Sequence, residues 1–155
     1  MSETFVPRGD IVVSNESDCV ITLKSLGSTL AVIVSDPNEK ISGIVHCILP
    51  KTINKEQKIK DAWEQLRILF KEMIKKGAKA PNFRVMLCGA ATFLDAPSEI
   101  ELGVMLYKKV KAALKKNGIK ISGEHVGGPI NRSVSISVGA EKATVFLPEN
   151  KEILI

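Results

Sequence analysis

Few imidazole or thiol side chains in this sequence are available to hold a metal or attack an electrophile. There are two histidines, His46 and His125, and three cysteines, Cys19, Cys47 and Cys88. No two cysteines have C-x-x-C spacing and the histidines stand far apart, so neither a metal nor another cofactor is expected. His46 and Cys47 are neighbours in the apolar run Ile44-Val45-His46-Cys47-Ile48-Leu49. If that run is a strand, the two side chains face opposite sides and do not form a thiol–imidazole pair. Cys47 then reads as a small core residue, and His46 as either a proton-transfer group or a hydrogen-bonded core histidine. Cys19 has no visible partner. Gly127-Gly128 suits a turn with positive φ, and Arg132 beyond it is expected to meet a surface carboxylate.

The elements that must position these groups follow from period. Ile11–Ser14, Val20–Lys24, Thr29–Ser35 and Ile41–Leu49 are β-formers separated by turn signals, and Asp36-Pro37-Asn38-Glu39 suggests a hairpin. From about Glu56 to Lys76 apolar residues fall at Ile59, Ala62, Trp63, Leu66, Leu69, Phe70 and Met73, one face of a helix. Asn54 is the expected cap, Gly77 the expected stop, and Trp63 a core anchor. Phe83–Leu87 reads as a buried strand leading to Cys88-Gly89-Ala90-Ala91. A second helix is expected from about Ser98 to Lys116, with Ile100, Val104, Tyr107, Val110 and Leu114 as its stripe. Ile119–Gly123, Ser133–Val138 and Lys142–Leu147 return to β, and Glu149 to Ile155 carries no signal. Strands and helices do not alternate strictly. The expectation is an α+β layered α/β sandwich with mixed, mainly antiparallel sheets and two long amphipathic helices.

The bulk numbers narrow the classes. A chain of 155 residues fits a single domain, 1–155, and buries enough surface to need no disulfide. With 45% hydrophobic and 25% charged residues it is not a disordered chain. The net charge of +5 invites a nucleic-acid reading. However, Lys75-Lys76 and Lys115-Lys116 sit at helix ends, where they complement the dipole, and there is no arginine stripe. No nucleic acid is expected as a partner. No apolar run reaches the roughly 20 residues of a membrane span. Met1-Ser2-Glu3-Thr4 has neither part of a signal peptide, so a cytoplasmic protein with free thiols is expected.

Six segments stand in order along the chain: Leu26-Gly27-Ser28-Thr29-Leu30-Ala31-Val32, Asp36-Pro37, Gly43-Ile44-Val45-His46 with Leu49-Pro50, Cys88-Gly89-Ala90, Leu102-Gly103, and Val126-Gly127-Gly128 with Arg132. Together they resemble the CheD family of chemoreceptor glutamine deamidases. The resemblance implies a cysteine-hydrolase-type fold and a thiolate that attacks a receptor glutamine, with histidine as base and acid. It further implies the cytoplasmic helices of chemotaxis receptors and a CheC-like phosphatase as partners.

Carried across by position, the resemblance puts Thr29 where the nucleophilic cysteine belongs and His46 at the general base. The assisting threonine falls on Leu23, with Thr22 one residue away and usable only through a bulge. Ser28, Gly89, Gly127, Gly128 and Arg132 would form the rim. His125 stands where the family has an aspartate, Leu106 where it has an asparagine, and Cys88 breaks a glycine pair.

A thiol of pKa about 8.5 is easily converted to a thiolate beside histidine. A threonine hydroxyl is not, and its β-methyl crowds attack. The expectation is a catalytically impaired binding homologue. The alternative is an active amidohydrolase working through Thr29 and His46, with Cys88 a less favoured substitute thiol.

Overall fold

The computed structural model describes residues 1–50, 60–95 and 97–155. Ten strands are described: β1 (Ser2–Phe5), β2 (Ile11–Ser14), β3 (Cys19–Leu26), β4 (Leu30–Asp36), β5 (Ile41–Cys47), β6 (Arg84–Gly89), β7 (Ile121–Val126), β8 (Arg132–Ser137), β9 (Thr144–Leu147) and β10 (Lys151–Leu154). Helix α1 (Ala62–Lys75) lies between β5 and β6, and α2 (Pro97–Lys116) between β6 and β7. One sheet has the order β1-β3-β8-β9-β10 and the other β2-β5-β4-β6-β7. Among the described strands only β1/β3 and β6/β7 pair in parallel, so both sheets are mixed and mainly antiparallel, as expected.

The layers follow from alternation along the central strand. On β4, Ala31 and Ile33 pack with Ile21, Leu23, Ile44, Met86, Val134 and Val145 in a core between the sheets. Leu30, Val32 and Val34 point the other way, toward Leu66, Leu69, Met73, Leu106 and Val110 of the helices. A strand buried on both faces must be apolar at every position, which Leu30–Val34 is. Each fully buried leucine contributes about 2 kcal/mol from desolvation. Buried hydroxyls pin the sheets together: Ser35 donates to the Ala140 carbonyl at 2.6 Å, and the Gly139 amide donates to Ser42 at 2.8 Å. Asp36 ends β4 by accepting from the amides of Asn38, Glu39 and Lys79, tying the hairpin to the segment after α1.

Three expectations are corrected. Helix α1 begins at Ala62, and its cap is Asp61, whose carboxylate accepts from the Glu64 amide at 3.0 Å; Asn54, Glu56 and Ile59 lie outside the described residues. Trp63 is 37% exposed and is not a core anchor; the buried face of α1 is Ala62, Gln65, Leu66, Leu69 and Met73. The C-terminal segment without a signal forms β10, antiparallel to β9. Strand β1, unforeseen, pairs with β3.

Candidate functional site

Thr29 sits just before β4 and His46 near the end of β5. The register sets Ala31 opposite His46 and Leu30 opposite Cys47. His46 therefore shares the inter-sheet face with Ala31, while Cys47 turns to the helices. The Thr29 hydroxyl lies 2.8 Å from His46 Nε2. Both are buried, with 7% and 5% of their surface exposed. The same row continues across the sheet through Cys88, opposite Ala31, to His125, opposite Cys88.

The backbone around Thr29 is held by the segment after β6. The Ala90 amide donates to the Thr29 carbonyl at 2.7 Å and the Ala91 amide to the Gly27 carbonyl at 3.0 Å. This approach needs Gly89: its φ is +117°, and a Cβ there would lie 2.4 Å from the Thr29 carbonyl oxygen. Ser28 is buried beside Thr29. Gly127 and Gly128 adopt φ of +78° and +69°, the turn geometry expected of the pair. The Gly127 amide donates to Gly89 O at 3.0 Å, and the Thr92 amide donates to Gly128 O at 2.9 Å.

Arg132 fastens that loop from inside and is only 3% exposed. Its Nη1 donates to the carbonyls of Gly89 and Ile130, Nη2 to that of Gly127, and Nε to His125 Nδ1 at 2.7 Å. The expected surface carboxylate is replaced by carbonyls and a neutral imidazole. Burial, helped by the Arg132 charge, holds His125 below the usual histidine pKa, which keeps Nδ1 free to accept.

The hydrogen bonds of His46 fix where its proton sits. The Gly9 amide donates to Nδ1 at 3.1 Å. An amide has no lone pair to offer, so Nδ1 must be the unprotonated nitrogen. Nε2 then carries the hydrogen and donates it to Thr29 Oγ1. Burial, and after it the Arg8 charge, push the His46 pKa down to about 4, so the ring is neutral at pH 7. Gln65 braces this strap, its Nε2 donating to Gly9 O at 3.0 Å and to His46 O at 2.9 Å. The His46 amide donates in turn to Asp10 O at 3.0 Å.

Chemically this is the reverse of a serine-hydrolase triad. There a carboxylate accepts from Nδ1–H and leaves the Nε2 lone pair facing the hydroxyl. Here the Nδ1 partner is a donor, and the nitrogen facing Thr29 already bears a proton. In this tautomer His46 cannot take the hydroxyl proton.

The remaining candidates lie elsewhere or are inert. Thr22 Oγ1 donates to Glu3 Oε2 at 2.7 Å. Its neighbours Ile21 and Leu23 face the inter-sheet core, and the irregularity of β3 falls between Leu23 and Leu26, too late to turn Thr22 inward. Thr22 does not join His46. All three cysteines are free and buried. Burial pushes the Cys47 thiol up to about 12, and does the same for Cys88 against the opposing pull of Arg132. Neither is a thiolate at neutral pH. Among the described residues no three His, Cys, Asp or Glu side chains converge to hold a metal. Neither Thr29 nor His46 lines the cleft beside α1 or the one around Arg8, Asp10 and Glu72.

Gly9 and Gln65 were not foreseen. A backbone amide leaves no trace in a sequence, but Gln65 does: it is a polar residue on the buried face of α1, three after Ala62 and four before Leu69.

A family model described as CheD chemotactic sensory transduction matches residues 48–146. The chain belongs to the CheD family. It is 32% identical to the probable chemoreceptor glutamine deamidase CheD of Methanococcus maripaludis strain C5, over 86% of this chain and 87% of that protein. It is 31% identical to the chemoreceptor glutamine deamidase CheD of Thermotoga maritima, over 88% and 87% respectively. It is also 29% identical to the probable CheD 1 of Syntrophus aciditrophicus, over 94% of each chain. No helix among the described residues is long and apolar enough to cross a membrane.

Proposed function

We propose that this chain is a CheD-type chemotaxis protein that binds the family's partners without deamidating them. The observation that supports this reading is the amide of Gly9 donating to His46 Nδ1. It puts the imidazole hydrogen on the nitrogen facing Thr29 and leaves no base there. A thiolate–imidazolium pair would need a proton on Nδ1 as well, directly against the Gly9 hydrogen. The substitution at residue 29 and the strap over His46 thus act in the same direction. The partners proposed are the cytoplasmic helices of a chemotaxis receptor and a CheC-like phosphatase, which makes the chain a cytoplasmic regulator.

The 2.8 Å contact between Thr29 and His46 favours a second reading, an amidohydrolase using that hydroxyl. In it Oγ1 attacks the glutamine amide carbon while its proton passes to Nε2, ammonia leaves, and water hydrolyses the ester to glutamate. That route requires the Gly9 amide to withdraw so that the proton can move to Nδ1.

The two readings separate in one assay. The protein is incubated with receptor cytoplasmic fragments and, separately, with a CheC-like phosphatase; complex formation is followed with both, and the mass change of glutamine to glutamate with the fragments. Binding without conversion is expected. Conversion that disappears in Thr29→Ala would establish the second reading, and absence of binding to either proposed partner would sink the first.

A further inference from the structure

We propose that the groove between α1 and the C-terminal part of α2 docks an amphipathic helix carrying carboxylates. This surface shares no residue with the Thr29–His46 site and does not depend on how that site is read. The groove encloses about 1120 Å³. Its apolar lining includes Trp63, Phe70, Ile74 and Phe83. Trp63 is 37% exposed and Ile74 53%, while Phe70 and Phe83 stack with ring centroids 5.6 Å apart. Tryptophan and phenylalanine left partly in water along one groove are the composition of an interface rather than of ordinary surface.

Charge selects the partner. Arg67, Lys71, Arg84 and Lys120 line the groove against only Glu64 and Glu141. The salt bridges among the described residues are Lys79–Glu39 and Lys151–Glu149, so these four cations have no ion-pair partner there. An occupant bearing carboxylates beside an apolar stripe would meet all four at low desolvation cost. Its backbone is constrained too. The α1 wall, from Trp63 to Ile74, has its amides paired within the helix, so an extended peptide would find no main-chain partners along it. A helix brings its hydrogen bonds with it.

Trp63 is the chain's one tryptophan and reports on the groove directly. The full chain is titrated with a synthetic leucine/glutamate amphipathic helix of about 18 residues, five turns, and with a leucine/lysine helix of the same pattern. The glutamate peptide should shift Trp63 emission to shorter wavelength with micromolar affinity, and the lysine peptide should not. Lys71→Glu combined with Arg84→Glu should weaken binding about ten-fold or more, with circular dichroism confirming the fold. Raising salt on the unaltered protein should weaken it in the same sense. No emission shift, or equal binding of both peptides, would overturn the proposal. So would a shift that follows protein concentration alone, which would assign the groove to a second copy of this chain.

Discussion

A hydrogen bond between a hydroxyl and an imidazole has a direction, and at Thr29 and His46 the direction decides the chemistry. The donor on Nδ1 is the Gly9 amide, so the ring must donate toward Thr29. Restoring a thiol does not change this. The new thiol of a Thr29→Cys variant should keep a pKa near or above the ordinary 8.5, because the imidazolium that would lower it is blocked by burial, Arg8 and Gly9. Alkylation rates measured against pH check this, and a rate plateau below pH 6 would contradict it. Much at this scale was legible in advance. The opposite facing of His46 and Cys47 follows from strand alternation, and the inertness of Cys47 follows from its apolar run. Thr22 could only have served through a bulge, and β3 stays regular there. The proton's position was not legible, because it depends on a main-chain amide 37 residues away.

Between residue and fold stand the loops that carry the site. The segment after β6 approaches Thr29 so closely that Gly89→Ala must push the two apart, adding positive-φ strain to a 2.4 Å clash. A stability loss of about 3 kcal/mol is expected from urea unfolding. Arg132→Lys keeps the charge but loses the fork that reaches the carbonyls of Gly89, Gly127 and Ile130 and His125 together. It should cost about 2–4 kcal/mol by the same measurement. The glycines at 127 and 128 announced their turn in the sequence, whereas the destination of Arg132 did not, since a buried arginine on carbonyls looks like a surface one. Strands β3 to β9 were legible to within a few residues because they bury alternate or continuous apolar faces. Strands β1 and β10 are exposed at every position and so carry no such pattern. Trp63 was misplaced because it borders the apolar stripe of α1 without lying on its buried face.

For the whole molecule, burial of neutral histidine couples stability to pH. The folded His46 pKa of about 4 lies below its unfolded value near 6.5. The unfolded chain therefore takes up the proton first, and stability present above pH 6.5 is lost as pH falls toward 4. His125 is shifted in the same direction and adds to the loss. Of the order of 2 kcal/mol is expected from His46, read as a falling urea midpoint between pH 7.5 and 4.5. Asp36 acts lower down. Burial raises its pKa, but its hydrogen bonds outweigh burial and hold it below the usual value, so its contribution goes only as pH falls through that depressed pKa. The layered α+β order was readable from the sequence, because a strand buried on both faces and two amphipathic helices leave few other arrangements. The most direct test of the account is nitrogen-15 NMR of the His46 ring at neutral pH. The account requires a neutral ring with its hydrogen on Nε2 and a bare Nδ1. A hydrogen on Nδ1, or a cationic ring, would contradict it.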